Sequence, residues 1–183
     1  MEIEYPVLYE QLPIDYKSKD NIKAILDRVN KYSYEFDLNP KWVLAVIKCE
    51  SEFNQYALRF EPKFQWLHNV DIMQSRLKCT ADTAKYMQMC SYGLMQIMGA
   101  TYIDMLGNYQ WPTNLFDIDE NIYYGCCFFK KKYQTWGPDI AATYSAYNAG
   151  TARVQKVYKG KNIYVNEWAV NKFLKALGEI EYA

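Results

Sequence analysis

The sequence predicts a mainly α-helical, single-domain protein. Apolar residues recur at three- and four-residue spacing over most of the chain, which is the period of a helix with one buried face. The 183 residues, 50% of them hydrophobic, suffice for one core but not for two comfortable ones. No strand or hairpin signal is as strong as these helical patterns, although the sequence allows a short β-hairpin near residues 56–70. We therefore expect an N-terminal extended segment over residues 1–19, which holds Pro6 and Pro13, and one helical domain over residues 20–183.

Start and stop signals predict the individual helices in order. Asp20 is a candidate cap for the first, and the Asn39-Pro40 pair begins a second that runs to about Phe53. The later helices are expected at "TADTAKYMQM" after Thr80, at "GLMQIMGATYIDML" with a break near Gly99, from about Glu120 to Tyr133, from Pro138 to a stop at Gly150, and after a cap at Asn166.

Composition excludes several classes of function. The 21 basic and 21 acidic residues cancel, so no basic stripe favours nucleic acid as a partner. The sequence contains no run of 18 apolar residues, which is the length that would predict a membrane span. His68 is the single histidine, and the five cysteines follow no zinc or disulfide spacing. We expect no metal, no cofactor and a monomeric chain.

Glu50 lies at the end of the most hydrophobic predicted helix. At 100° per residue it continues the face formed by Val43, Val46 and Ile47. A carboxyl group held against apolar surface has a raised pKa and can stay protonated near neutral pH, as a general acid for glycosidic cleavage requires. Helix geometry alone leaves an alternative open, because a carboxylate at a helix end can also turn to solvent.

Four motifs occur in order along the chain: "ESEF" (50–53), "YGLMQIMGAT" (92–101), "NIYYG" (121–125) and "AYNAG" (146–150). Together they closely resemble the soluble lytic transglycosylases, which have a lysozyme-like fold and are related to goose-type lysozyme. The resemblance implies that residues 20–183 form a lysozyme-like catalytic domain, and that peptidoglycan glycan strands are the partner.

The resemblance also implies a reaction. Glu50 would cleave the β-1,4 bond between N-acetylmuramic acid and N-acetylglucosamine, first as general acid and then as base. The muramyl 6-hydroxyl would close a 1,6-anhydro ring, so neither water nor a second carboxylate is needed.

Further substrate contacts are expected from side chains in the same motifs. In "GLMQIM" a flexible thioether and an amide suit N-acetyl and peptide groups, although the methionine fits a core equally well. In "AYNAG" the tyrosine is a candidate for steadying the sugar cation or bonding to Glu50, and the asparagine for fixing the helix end. The candidates are Ser51, Met95, Gln96, Tyr144, Tyr147 and Asn148, and Glu61 of the stretch between the first two motifs is a further one.

The chain departs from the family pattern between Glu50 and Gly93, where the interval is longer than in commoner members. The added stretch supplies Phe60, Phe64 and Trp66 as sugar-stacking candidates. It also supplies Glu61 and Asp71, either of which would make the enzyme a water-using muramidase of the same bond if it assisted Glu50. Glu61 is equally placed to pair with Arg59.

Two other expectations follow. The alternative from another functional class is a non-catalytic peptidoglycan-binding protein. Such a protein would have lost the catalytic acid, whereas Glu50 is present here. The first 20 residues have no signal-peptide pattern, so we expect an enzyme that reaches the periplasmic wall by phage lysis, in a virion or through a secretion apparatus.

Overall fold

The computed structural model describes residues 18–180, and it confirms a mainly α-helical fold. The predicted extended segment lies outside the described residues except for its last two. The helices within the described part are α1 Lys19–Glu35, α2 Pro40–Glu50, α3 Val70–Leu77, α4 Ala81–Gln88, α5 Gly99–Leu106, α6 Ile118–Trp136, α7 Ile140–Ala149 and α8 Glu167–Glu179, with a 3₁₀-helix at Pro112–Phe116. The strands there are β1 Leu58–Phe60, β2 Cys90–Tyr92, β3 Ile97–Met98, β4 Val154–Tyr158 and β5 Lys161–Tyr164.

The described residues form two compact units. One comprises residues 18–49 and 126–180, and we call it the terminal unit. The other comprises residues 50–125, and we call it the central unit. Each is described by itself.

The terminal unit is built on helices with buried apolar faces. Ile25, Val29, Val43 and Phe173 are all fully buried. The first helix begins earlier than predicted, because Ser18 rather than Asp20 is its N-cap and accepts a hydrogen bond from the Asn21 amide. The predicted stop at Gly150 is confirmed, since this residue ends α7 with a φ of +82°.

The terminal unit also contains a hairpin that the sequence pattern did not predict. Strands β4 and β5 pair in antiparallel fashion around Lys159 and Gly160, whose φ angles are +47° and +74°. Two consecutive positive φ angles are typical of the tight turns that join hairpin strands.

The central unit contains a three-stranded antiparallel sheet in the order β1-β2-β3. The short hairpin that the sequence allowed near residues 56–70 is not formed within that range, because β1 pairs with β2 and Arg59 lies opposite Ser91. After β1 the chain meets Pro62, which cannot donate a ladder hydrogen bond. Asn69 then caps α3, accepting from the Ile72 amide 3.1 Å away. The chain therefore continues into α3 instead of forming a second strand that would pair with β1.

The helix predicted from Gly93 is wrong in its first half. Residues 93–96 form a turn and β3 follows, so that α5 begins only at Gly99. Gly93 and Gln96 have φ angles of +72° and +49°, which a right-handed helix does not allow. The start predicted at Thr80 is confirmed, since its hydroxyl accepts from the Thr83 amide at the N-terminus of α4.

Within residues 18–180, none of the helices combines the length and the apolar character that crossing a membrane would take.

Candidate active site

Glu50 is the last residue of α2. The residues that share its helical face, Val43, Val46 and Ile47, are completely buried, and Glu50 itself is half-buried. The helix stops here rather than at Phe53, because Glu52 and Phe53 have φ angles of +52° and +65°. The carboxyl group therefore stands where an apolar helix ends and a tight left-handed turn begins.

Ser51 connects the chain after Glu50 to the "GLMQ" segment. Its hydroxyl donates a hydrogen bond to the Leu94 carbonyl at 2.7 Å. This serine holds the end of the helix against the turn at residues 93–96, within the central unit.

Asn121 organises that turn from inside. It is 1% exposed, and its side-chain oxygen accepts from the Met95 amide at 2.8 Å. Its side-chain nitrogen donates to the Tyr92 and Leu115 carbonyls at 2.9 and 2.7 Å. A Cβ on Gly93 would collide with the Asn121 amide, so glycine is required here both for space and for its positive φ.

The side chain of Gln96 is committed to internal hydrogen bonds. Its nitrogen donates to the carbonyls of Ala57 and Gly93, each at 3.0 Å, while its oxygen accepts from the Ser91 hydroxyl at 2.8 Å. The amide predicted to contact substrate thus joins the loop before β1 to the turn before β3. Gln96 is half-exposed, so one face of it remains accessible.

Met95 is completely buried, as the alternative core interpretation of this residue expected. It fills the space over Gly125, where a Cβ would collide with its sulfur. Contact between Met95 and a substrate would require this packing to open. Met98, which the sequence analysis did not select, is the methionine of the motif that keeps partial exposure.

Glu61 forms an ion pair with Arg59 at the sheet edge. Both side chains are partly exposed, and the Glu61 amide donates to the Met89 carbonyl at 2.9 Å. Nearby rings form two edge-to-face pairs, Phe60 with Tyr86 and Phe64 with Trp66. The stacking candidates of the added stretch are therefore paired with other rings, and Trp66 is 76% exposed.

Tyr144, Tyr147 and Asn148 belong to α7 in the terminal unit. The Tyr144 ring stacks on Phe173 with centroids 4.2 Å apart, and Tyr147 packs against Phe129 at 5.6 Å. The Asn148 oxygen accepts a 3.0 Å hydrogen bond from Asn166, which agrees with a role in fixing the helix end.

A family model described as "Transglycosylase SLT domain" matches residues 27–167, which include Glu50 and all four motifs. The chain belongs to this family. A comparison with curated proteins gave no match. Membership places the protein among the lysozyme-like lytic transglycosylases. At the level of the family, it supports lytic transglycosylase activity on peptidoglycan.

Two buried side chains of this SLT domain, Tyr92 and Cys126, have raised pKa values and are neutral at pH near 7. Burial raises the pKa of Tyr92, whose hydroxyl donates to the Met87 carbonyl at 2.9 Å. Burial also raises the pKa of the Cys126 thiol, which stays protonated and unreactive at neutral pH. Among the described residues of the SLT domain, no three or more His, Cys, Asp or Glu side chains are grouped to hold a metal ion.

Proposed function

We propose that the protein is a lytic transglycosylase that cleaves the MurNAc-β-1,4-GlcNAc bond, with Glu50 as its general acid and then its general base. The observation that supports this role is the position of Glu50, half-buried at the end of the fully apolar face of α2. A general acid for this bond needs a carboxyl group within reach of the leaving oxygen, and a side chain at the end of a buried helix face that is itself only partly buried can meet it.

The reaction uses one carboxyl group twice. Glu50 gives its proton to the glycosidic oxygen as the bond to the muramyl C1 breaks, and positive charge develops on the muramyl ring. The Glu50 carboxylate then takes the proton of the muramyl 6-hydroxyl as that oxygen bonds to C1. The products are a 1,6-anhydromuramyl end and a free N-acetylglucosamine 4-hydroxyl, and Glu50 regains its proton.

Hydrolysis of the same bond with help from Glu61 is the second candidate. It requires a carboxylate that is free to polarise water. The Arg59 guanidinium is paired with Glu61, which disfavours this role. Asp71 lies exposed in the first turn of α3 and has no observation in its support.

Two matched variants test the assignment. Glu50→Gln and Glu61→Gln each replace a carboxyl group by an amide of the same size, which can neither give up a proton nor accept one as a base. We expect Glu50→Gln to lower the rate of peptidoglycan solubilisation at least about 100-fold, since general acid-base catalysis contributes that much or more. Glu61→Gln should stay within about threefold of the parent, because an exposed ion pair contributes little. An unchanged rate for Glu50→Gln would remove Glu50 from the mechanism.

A further inference from the structure

The hairpin formed by β4 and β5 carries a local positive charge on a chain whose net charge is zero. Its cations are Arg153, Lys156, Lys159 and Lys161, all exposed, and no acidic residue lies between residues 153 and 165. Exposed apolar surface lies beside them, since Val157 is 66% and Tyr158 is 59% exposed. The Lys159 ammonium also lies 5.5 Å from the centre of the Tyr158 ring.

The pairing places two of these lysines on one face of the hairpin. Lys161 lies directly opposite Tyr158, and Lys156 lies opposite Ile163. Directly paired residues point to the same side of an antiparallel ribbon, and residues two apart on a strand share a side. Lys156, Tyr158 and Lys161 therefore form one cationic, aromatic face.

The base of the hairpin is fixed to α7, the helix that carries the "AYNAG" motif. The Tyr164 hydroxyl donates to the Asp139 carboxylate at 2.9 Å, and Asp139 caps α7. Asn166, just after β5, donates to Asn148 of the motif. Asp139 and Glu167 bond to Tyr164 at this base, and within residues 18–180 no acidic side chain forms an ion pair with Lys156, Lys159 or Lys161.

We propose that this hairpin binds the stem peptides of the glycan strand through their carboxylates, an inference that rests on the proposed function. A stem peptide is joined to the muramyl sugar that the reaction cleaves, and it combines small methyl side chains with free carboxylates. Lysine ammonium groups pair with those carboxylates, and the Tyr158 ring on the same face offers apolar contact to the methyl groups. The hairpin thus makes the enzyme prefer peptide-bearing glycan to bare glycan.

The test measures binding separately from cleavage. The whole chain with Glu50→Gln is bound to two preparations: intact sacculi, and glycan strands from which an amidase has removed the stem peptides and which are then immobilised on beads (stripped sacculi). A triple variant, Lys156→Gln with Lys159→Gln and Lys161→Gln, is compared with a control that removes the same charge from the exposed Lys19, Lys78 and Lys85. A second variant replaces the three hairpin lysines by arginine.

We expect the glutamine triple variant to lose about tenfold in affinity for intact sacculi, since each exposed charge contact contributes a small factor. The loss should shrink at high salt and be absent on stripped sacculi. The lysine control and the arginine variant should bind like the parent.

Three outcomes would overturn the proposal: equal binding of parent and glutamine variant to intact sacculi, an equal loss on stripped sacculi, or a loss confined to vesicles of phosphatidylglycerol and phosphatidylcholine. The last would make the hairpin a contact for anionic lipid. The two proposals fail in different ways: an active Glu50→Gln enzyme would release soluble glycan and reject the proposed chemistry, whereas failure of the hairpin proposal would appear as unchanged affinity of the glutamine variant.

Discussion

Two buried asparagines organise motif segments in different ways. Asn121 in the central unit bonds only to backbone groups, namely one amide and two carbonyls. Asn166 in the terminal unit accepts from the Ser145 hydroxyl at 2.6 Å and donates to the Ser145 carbonyl and to the Asn148 oxygen. The first fixes the path of the "GLMQ" turn itself, whereas the second mostly fixes side chains on a helix that is already formed.

The difference teaches where each motif gets its rigidity. A left-handed turn has no hydrogen-bond ladder, so its backbone groups need a buried side chain to satisfy them. The helix α7 satisfies its own backbone, and Asn148 is only half-buried, so water can replace the bond from Asn166. The same substitution at the two asparagines should therefore have unequal effects.

Asn121→Ala is expected to have the largest effect on stability. It removes the side-chain partner of two carbonyls and one amide, which costs about 3–9 kcal/mol of unfolding free energy for three groups at roughly 1–3 kcal/mol each. Chemical denaturation of parent and variant measures this loss. Asn121→Leu is the matched control, because it keeps side-chain size and lacks the donors and the acceptor, so it separates the loss of hydrogen bonds from the cavity that alanine leaves. If Asn121→Ala cost less than about 1 kcal/mol, the organising role of Asn121 would be refuted.

Asn166→Ala should cost less, about 1–2 kcal/mol, because one of its partners is accessible to water. Activity is expected to fall more than stability would explain, since Asn148 of the motif loses its support. A double-mutant cycle with Asn148→Ala checks this, and the two substitutions should be less than additive. Full additivity would show that the hydrogen bond between them carries no free energy.

The ion pair of Lys48 and Glu179 should contribute the least. Their charged atoms lie 2.7 Å apart at the surface of the terminal unit, and Lys48 lowers the pKa of Glu179. A lowered carboxyl pKa in the folded state gives stability above the unfolded pKa, and that stability is lost as pH falls through the folded value. Lys48→Met should thus lower the melting temperature slightly at pH near 7 and by a smaller amount at about pH 3. An equal decrease at both values would assign the effect to packing.

Sequence patterns predicted the helix ends that a cap residue marks, and they missed the turns in which a residue other than glycine has a positive φ angle. Thr80 and Gly150 announce a helix start and a helix end through local chemistry alone. The Lys159-Gly160 turn is a weaker signal than Asn-Gly, so the hairpin at β4 and β5 was not predicted. Gln96 in a left-handed turn gives no sign in the sequence, and the "GLMQ" segment looked helical.

In the candidate site, too, local sequence predicts some features and not others. The apolar face leading to Glu50 follows from spacing, because helix period and burial coincide there. The burial of Met95 depends on Gly125, thirty residues away in sequence, and the internal bonds of Gln96 depend on Ala57 and Ser91. Such contacts are set by tertiary packing, which no local pattern contains.

Mass spectrometry of the soluble products tests the central claim most directly. Peptidoglycan digested with the parent protein should release fragments that end in 1,6-anhydromuramic acid, each lighter by one water than the corresponding reducing fragment. Glu61→Gln should release the same fragments, and Glu50→Gln should release almost none. Reducing muramyl ends from the parent, or reducing ends that disappear in Glu61→Gln, would contradict the claim that Glu50 alone serves as acid and base.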